Sequence, residues 1–170
     1  MSDFVIIPDS SCDLTKDLRE RFGIEDYAAG VLYYPDGREE KVSLDWETMT
    51  PKEFYNSMKG RKALYTTATP PFGEVFALFE KHLKQGKDVL SISLSSGLSA
   101  SYANTVRVAE DLREKYPDRK IICVDSLRYS TAMALLVIEA CLQKEQGKMH
   151  LLYKAFCRRT NRVQKRMLQN

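Results

Sequence analysis

The sequence lacks a long hydrophobic run and paired cysteines, and these two absences exclude several classes of protein. The longest uninterrupted apolar stretch, Ala132–Ile138, has seven residues, whereas a transmembrane helix needs roughly 20. The N-terminus, Met1–Phe4, has no basic region followed by an apolar segment, so we expect no signal peptide. The four cysteines, at positions 12, 123, 141 and 157, lie far apart. This spacing favours reduced thiols in a cytoplasmic protein over a disulfide or zinc framework.

The net charge of +3 is unevenly distributed along the 170 residues. Residues 148–170 contain seven Lys and Arg and no Asp or Glu, so the first 147 residues carry a net charge of −4. A basic tail is one feature of nucleic-acid-binding proteins. Here Tyr153 and Phe156 are the tail's only aromatic residues and the rest of the chain is not basic, so we expect no nucleic-acid binding.

Strand and helix patterns alternate along the first 147 residues. Apolar runs predict strands over 4–7, 89–94 and 120–124, and apolar periodicity predicts helices over 14–22, 73–85, 99–115 and 130–146. A hairpin over 31–42, a helix over 50–59 and a less distinct strand over 62–66 follow the first helix. Strands that alternate with long helices pair in parallel and are covered on both faces. We therefore predict an α/β fold, a parallel-sheet α/β/α domain with an inserted hairpin.

Short clusters of hydroxyl and carboxylate side chains follow the predicted strands. The clusters are Asp9–Ser11, Ser95–Gly97, Asp125–Ser126 and, if residues 62–66 form a further parallel strand, Thr66–Thr67. Because the carboxyl ends of parallel strands share one edge of the sheet, we expect these clusters to face one crevice. The helix after Gly97 would add free backbone N–H groups there, which suits a small anion. Taken singly, each cluster is equally typical of helix caps and turns.

The common motifs of catalysis are missing from the sequence. There is no P-loop and no Gly-x-Gly-x-x-Gly, and Ser96 lacks the first glycine of a Gly-x-Ser-x-Gly elbow. We predict His82 to lie on the surface of a helix and His150 in the basic tail, so neither is placed as a general base. Cys12 is expected to pack as a small apolar residue, and the acidic residues show no metal-ligand spacing. We therefore expect a binding protein without cofactor or metal. A small hydrolase that uses Ser96 or Cys12 is an alternative to this binding function.

Four segments together resemble the DegV family of bacterial fatty-acid-binding proteins, in that family's order and spacing. The segments are Ile6–Leu14, Thr66–Pro70, Ser93–Tyr102 and Val124–Leu127. The resemblance implies a carrier that buries one long-chain fatty acid between two domains. It also implies a partner in some Gram-positive bacteria, a separate ATP-using kinase subunit to which the carboxylate is presented.

The resemblance also implies which residues form the site. The residues carried over as ligands of the carboxylate are Thr67 with Ser95 or Ser96. Supporting positions of the site are Asp9, Ser10, Gly97 and Ser126. Two positions depart from the family's motifs, since Ala68 replaces a serine and Ala100 replaces a glycine. Both changes affect how closely the site fits its ligand.

The family's second domain is expected beyond Gly147, where the resemblance ends. We therefore expect residues 1–147 to form a DegV-type N-terminal domain, and residues 148–170 to be a basic, atypical tail that is a remnant of a disrupted second domain. Fatty acid binding would then be weakened, and the apolar surface left exposed would favour self-association, with peripheral membrane contact or none. The alternative is a remnant that no longer binds lipid but still docks on a kinase subunit.

Overall fold

A computed structural model describes residues 3–60 and 64–147 of the chain. The strands are β1 (Phe4–Pro8), β2 (Val31–Tyr33), β3 (Glu39–Lys41), β4 (Thr66–Ala68), β5 (Asp88–Ser93) and β6 (Ile121–Asp125). The helices are α1 (Lys16–Phe22), α2 (Pro51–Ser57), α3 (Phe72–Lys84), α4 (Ser101–Lys115) and α5 (Ser130–Glu145), and a short 3-10 turn covers Ser10–Cys12. This alternation confirms the predicted α/β class.

The main sheet is parallel, with strand order β1-β5-β6. Its central strand, β5, is buried along its whole length, as expected of a strand covered on both faces. The register places Pro8 opposite Ile92 and Ser93 opposite Asp125. The three strands therefore end at the same edge of the sheet.

Helices cover both faces of this sheet. Because successive side chains of a strand point to opposite faces, Ile6 and Ile7 belong to different cores. The first core includes Ile6, Leu90 and Val124 with Met133 and Val137 of α5. The second core includes Ile7, Val89 and Cys123 with Val75 and Phe79 of α3 and Val108 and Leu112 of α4. The predicted three-layer arrangement is confirmed.

A second, small antiparallel sheet has the order β3-β2-β4. The predicted hairpin is confirmed as β2 and β3, but the strand predicted over residues 62–66 is misplaced. In the structure β4 covers Thr66–Ala68 and runs antiparallel to β2, with Thr67 opposite Leu32; residues 62 and 63 lie outside the described part. Pairing with β4 satisfies the backbone groups of the otherwise free edge of β2. Thr67 therefore reaches the site from this small sheet and not from the parallel one.

Three helix ends differ from the prediction by two residues. α1 begins at Lys16, because Asp13 adopts a left-handed conformation (φ 50°) that ends the 3-10 turn. α2 ends at Ser57, two residues early. α4 begins at Ser101, where the backbone N–H donates to Ser99 Oγ over 3.1 Å.

The expectations for the basic tail, residues 148–170, fall outside the described residues. The same holds for the predicted position of His150. Within residues 3–60 and 64–147, no helix combines the length and apolar character that crossing a membrane requires.

Candidate functional site

The carboxyl ends of the three parallel strands are joined to the loops that follow them. Asp9 continues β1, and its backbone N–H donates to Ile92 O of β5 over 3.1 Å. Ser126 continues β6, and its N–H donates to Ser93 O over 3.1 Å. The clusters that follow β1, β5 and β6 therefore lie along one edge, as the sequence predicts.

The Asp9 carboxylate holds the ends of β1 and β5 together. Its Oδ2 accepts from Leu94 N at 2.7 Å, and its Oδ1 accepts from Ser11 N at 2.9 Å and from Ser11 Oγ. Asp9 is buried, and that burial raises the pKa of its carboxyl while the N–H groups of Leu94 and Ser11 oppose the rise. The side chain thus has a structural role at the edge of the site.

Ser10 connects this edge to the small sheet. Its backbone N–H donates to Ala28 O over 2.9 Å, and its Oγ accepts from Gly30 N at 3.1 Å. A Cβ at position 30 would lie 2.9 Å from Ala68 O and 3.6 Å from Ser10 Oγ. Only glycine allows the backbone before β2 to approach β4 this closely. This close approach brings Thr67 beside the end of β1.

These elements surround a cleft of about 510 Å³. Polar lining comes from hydroxyl and carboxylate side chains, namely Asp9, Ser10, Ser11, Asp13, Thr67, Thr69, Ser99, Ser101 and Tyr129. Apolar lining comes from Val42, Ala68, Pro70, Leu94, Leu98 and Ala100. The first turn of α4 borders the cleft, and the positive end of a helix dipole attracts a negative charge. The cleft therefore combines donors for a polar head with apolar surface for a hydrocarbon chain.

The structure brings together only some of the residues predicted for the site. Asp9, Ser10 and Thr67 line the cleft, whereas Ser95, Ser96, Gly97 and Ser126 are not among its lining residues. Sequence reasoning did not assign Ser99, Ser101 and Tyr129 to the site. The signal for the two serines was present, because the start of a helix at the end of a parallel strand is a common place for a ligand.

The turn after β5 borders the cleft through Leu94 and Leu98, whereas Ser95 and Ser96 are not among the lining residues. Ser96 Oγ donates to Asp125 Oδ2 over 2.5 Å, and Ser96 N donates to Asp125 Oδ1 over 3.1 Å. Ser95 Oγ accepts from Gly97 N at 3.3 Å. The single hydroxyl hydrogen of Ser96 is therefore already used, which fixes the turn to the end of β6.

Ser126 closes the loop that follows β6. Its Oγ donates to Arg128 O over 3.1 Å and accepts from Arg128 N at 3.1 Å. Ser126 is buried, so both polar functions of its side chain are satisfied within the loop. Ser126 therefore fixes the conformation of the loop that leads to Tyr129.

Two groups considered as a general base or a nucleophile, His82 and Cys12, are buried and do not line the cleft. The prediction that His82 lies on the surface is wrong, because it is only 3% exposed and its Nε2 lies 2.9 Å from Asp26 Oδ2. The apolar face of α3 carries it into the protein, where Asp26 satisfies one ring nitrogen. Cys12 is buried, as predicted, and burial raises the pKa of its thiol to about 11. A thiol that stays protonated at neutral pH is a poor nucleophile.

Metal-ligating residues do not gather at the cleft. No group of three or more His, Cys, Asp or Glu with the geometry to hold a metal ion occurs in residues 3–60 and 64–147.

Comparison with known proteins gives sequence relatives along most of the chain. The family model for DegV, described as an uncharacterised protein family, matches residues 3–166. A DegV domain-containing protein of Clostridium perfringens is 36% identical over 148 residues, which cover 87% of this chain and 50% of the relative. Protein DegV of Bacillus subtilis is 32% identical over 135 residues, 78% of this chain and 46% of that protein. The chain thus spans about half the length of the curated relatives it matches.

Solved structures share the fold. A fatty-acid-binding DegV family protein of Thermus thermophilus superposes with a TM-score of 0.72 at 26% identity, over 85% of this chain and 48% of the other. A stearic-acid-binding protein of Eubacterium ventriosum gives a TM-score of 0.75 at 24% identity over the same shares. With the family-model match and the curated relatives, these findings show that the chain belongs to the DegV family.

Proposed function

We propose that this chain binds a long-chain fatty acid, with its polar head in the hydroxyl-lined cleft. The observation that carries the proposal is the composition of that cleft, where Thr67, Ser99 and Ser101 face the same space as Leu94 and Leu98. The Thermus thermophilus relative, which is a fatty-acid-binding protein, supports it.

We propose that Thr67 holds the head group in the cleft and that Ser95, which follows the cleft-lining Leu94, holds it from the rim, with Ser96 as a positioning residue. Thr67 lines the cleft. The Oγ of Ser95 accepts from Gly97 N, which leaves its hydrogen available to an acceptor oxygen. Ser96 keeps the turn in place through Asp125, and Asp9, Ser10, Gly97 and Ser126 support the edge. A hydrogen bond to a charged partner contributes roughly 1.5–3 kcal/mol.

The hydrocarbon tail lies on the apolar surface next to the cleft. Leu98, Leu127 and Tyr129 are 68%, 56% and 59% exposed, which is high for large apolar side chains that are close along the same edge of the sheet. Covering such a surface releases water and stabilises the complex by roughly 0.8 kcal/mol for each buried CH₂. The hydrocarbon tail and this exposed surface are both apolar, so each can cover the other.

Binding by this chain alone is weaker than binding by its longer relatives. The chain spans about half of those relatives, and here we propose that residues 1–147 act as a DegV-type N-terminal domain followed by a basic tail. If half of a 16-carbon tail stays in water, roughly 6 kcal/mol of burial is missing, which is about four orders of magnitude in affinity. The same exposed surface would favour self-association of the chain.

A partner that uses the bound acid follows from the family resemblance. We propose that the chain presents the carboxylate to a separate kinase subunit and itself performs no catalysis. Mixing the chain with ATP, palmitate and such a subunit should give acyl phosphate. Docking on the subunit without any bound lipid would favour the alternative, an interaction remnant.

Equilibrium binding of a radiolabelled fatty acid to matched variants tests the site. Thr67→Val should lower the affinity by about ten- to a hundred-fold, because it removes one hydrogen bond to the head. Thr66→Val is the control, since Thr66 is exposed in the same strand and does not line the cleft. Ser95→Ala should act like Thr67→Val, and Ser96→Ala should act less strongly. Equal affinities of the Thr66 and Thr67 variants would rule out the proposed head-group position.

A further inference from the structure

Two unfavourable backbone conformations occur in the loop that joins β6 to α5. Leu127 has a φ of 50° and Ser130 a φ of 54°, in the left-handed region that glycine, asparagine and aspartate tolerate better than other residues. Tyr129, which lies between them in the chain, lines the cleft. Such conformations persist only where surrounding contacts impose them, and they are concentrated at functional sites. Contacts from outside the loop must therefore hold it in this form.

The first half of this loop is anchored to the ends of β5 and β6. Leu127 N donates to Asp125 Oδ1 over 3.1 Å. The carbonyl oxygen of Arg128 accepts from Ser95 N, also at 3.1 Å. These two hydrogen bonds fix the backbone on the N-terminal side of Tyr129.

The other end of the loop is fastened to the turn that follows β1. Ser130 Oγ donates to Asp13 Oδ2 over 2.5 Å, and we call this hydrogen bond the Asp13–Ser130 bridge. Asp13 also has a φ of 50°, but aspartate tolerates that conformation. Because β5 lies between β1 and β6, the bridge connects loops from the two sides of β5. It fixes the backbone on the C-terminal side of Tyr129.

Tyr129 is placed by these neighbours more than by its own side-chain contacts. Its side chain lines the cleft although the residue is 59% exposed, so packing restrains it little. If Ser130 left the left-handed region, the chain entering α5 would change direction and the Tyr129 ring would move away from the cleft. The bridge therefore decides whether this ring stays at the rim.

We propose that Asp13 and Ser130 are positioning residues for fatty acid binding. Their hydrogen bond holds the loop between β6 and α5 in its strained form, and this form places the Tyr129 ring against the hydrocarbon chain of the ligand. The proposal rests on the proposed function and adds to it the residues that set the rim of the cleft. When the bridge is broken, the strain favours a relaxed loop, so the rim opens and the bound acid dissociates faster.

Substitutions at position 130 separate the hydrogen bond from the backbone strain. Ser130→Ala removes the bridge and leaves a side chain that disfavours a positive φ, whereas Ser130→Gly removes the bridge but permits that φ. Loss of one hydrogen bond should make palmitate dissociate about tenfold faster from Ser130→Ala. In Ser130→Gly the relief of strain should keep the increase below about threefold. Equal increases in the two variants would refute the role of the strain.

Asp13 and Ser130 should behave as one unit in a double-mutant cycle. Asp13→Gly permits the left-handed φ at position 13 and breaks the bridge, so palmitate should dissociate about tenfold faster, as in Ser130→Ala. The variant that combines both changes should be no faster than either alone, because one hydrogen bond is lost only once. Asp13→Asn should restore the wild-type rate, since the amide oxygen still accepts from Ser130 Oγ and asparagine tolerates the left-handed region. Additive effects of the two single changes would contradict the bridge.

Release of palmitate from the full chain measures these rates. The palmitate-loaded chain is mixed with an excess of a fluorescent sensor protein for free fatty acid, and circular dichroism establishes that each variant is folded. Thr131→Ala is the matched control and should keep the wild-type rate, because Thr131 is the exposed neighbour of Ser130 and is not among the residues that line the cleft.

The wild-type rate in both bridge variants, Ser130→Ala and Asp13→Gly, would overturn the proposal. If Ser130→Ala does not fold, Asp13→Gly and its rescue by Asp13→Asn decide in its place. A wild-type chain that binds no palmitate would instead overturn the proposed function, and the positioning role with it.

Discussion

The close approach of Gly30 to β4 gives the sharpest stability prediction. A Cβ added at position 30 would lie 2.9 Å from Ala68 O, whereas carbon–oxygen contacts in proteins are usually about 3.3–3.6 Å. The obstacle is a backbone oxygen, so β2 and β4 would have to separate by a few tenths of an ångström. The φ of Gly30 is not in the positive region, so the substitution Gly30→Ala tests this contact without adding backbone strain.

The expected cost of Gly30→Ala is about 1–3 kcal/mol, as for overpacking at other tightly packed positions. Gly73→Ala is the matched control, because a Cβ there meets nothing within 4 Å and the residue lies in α3. Alanine should stabilise that helix by up to about 1 kcal/mol. Urea unfolding followed by circular dichroism measures both changes. If Gly30→Ala were as stable as Gly73→Ala, the reasoning about β4 would be refuted.

The same substitution also links stability to the site. Separation of β2 from β4 would move Thr67, which lies opposite Leu32 in the small sheet. Fatty acid affinity should therefore fall in Gly30→Ala and stay unchanged in Gly73→Ala. A binding assay without urea, where both variants are fully folded, separates this loss of affinity from a loss caused by unfolding.

Three further predictions concern buried and ion-paired groups. The ammonium groups of Lys115 and then Lys84 lower the pKa of Glu80 to about 2. The ionised Glu80 therefore stabilises the fold above its ordinary pKa of 4.5, and this stabilisation is lost as the pH falls from there towards 2. Glu80→Gln should flatten this part of an acid-unfolding curve. Asp26→Ala should cost about 1–3 kcal/mol in urea unfolding, because it leaves the buried Nε2 of His82 without its partner, and an unchanged midpoint would contradict this. Burial raises the pKa of Cys123 to about 12, so peptide mapping after alkylation at mildly alkaline pH should find it modified only in unfolded protein.

The sequence predicts the main sheet well because its signals are local. Short apolar runs such as Phe4–Ile7 and a buried pattern at Val89–Leu94 identify the strands, and hydroxyl clusters at their ends identify the edge of the site. The parallel register then follows from the alternation of strands and helices. None of these steps depends on a contact between distant residues.

The incorrect predictions concern residues whose positions depend on contacts with residues distant in the sequence. Thr67 reaches the cleft only because β4 pairs with β2 and because Gly30 allows the approach. Neither condition has a periodic signal in the sequence. His82 looked like a surface residue because its partner, Asp26, is 56 positions away in the chain.

The serines of the turn after β5 illustrate the same limit within a short segment. Six hydroxyls between Ser91 and Ser101 look alike in the sequence. In the structure Ser93 Oγ is buried against Thr105 Oγ1 at 3.1 Å, Ser96 is bonded to Asp125, and Ser99 and Ser101 line the cleft. Their roles are set by the partners that each side chain meets.

Native mass spectrometry of the protein purified from cells tests the central proposal most directly. The account predicts a complex that carries the additional mass of one long-chain fatty acid, or one that forms when palmitate is added in excess. Thr67→Val should reduce that population, and Thr66→Val should not. A wild-type chain that remains folded and takes up no fatty acid, even in excess palmitate, would contradict the account.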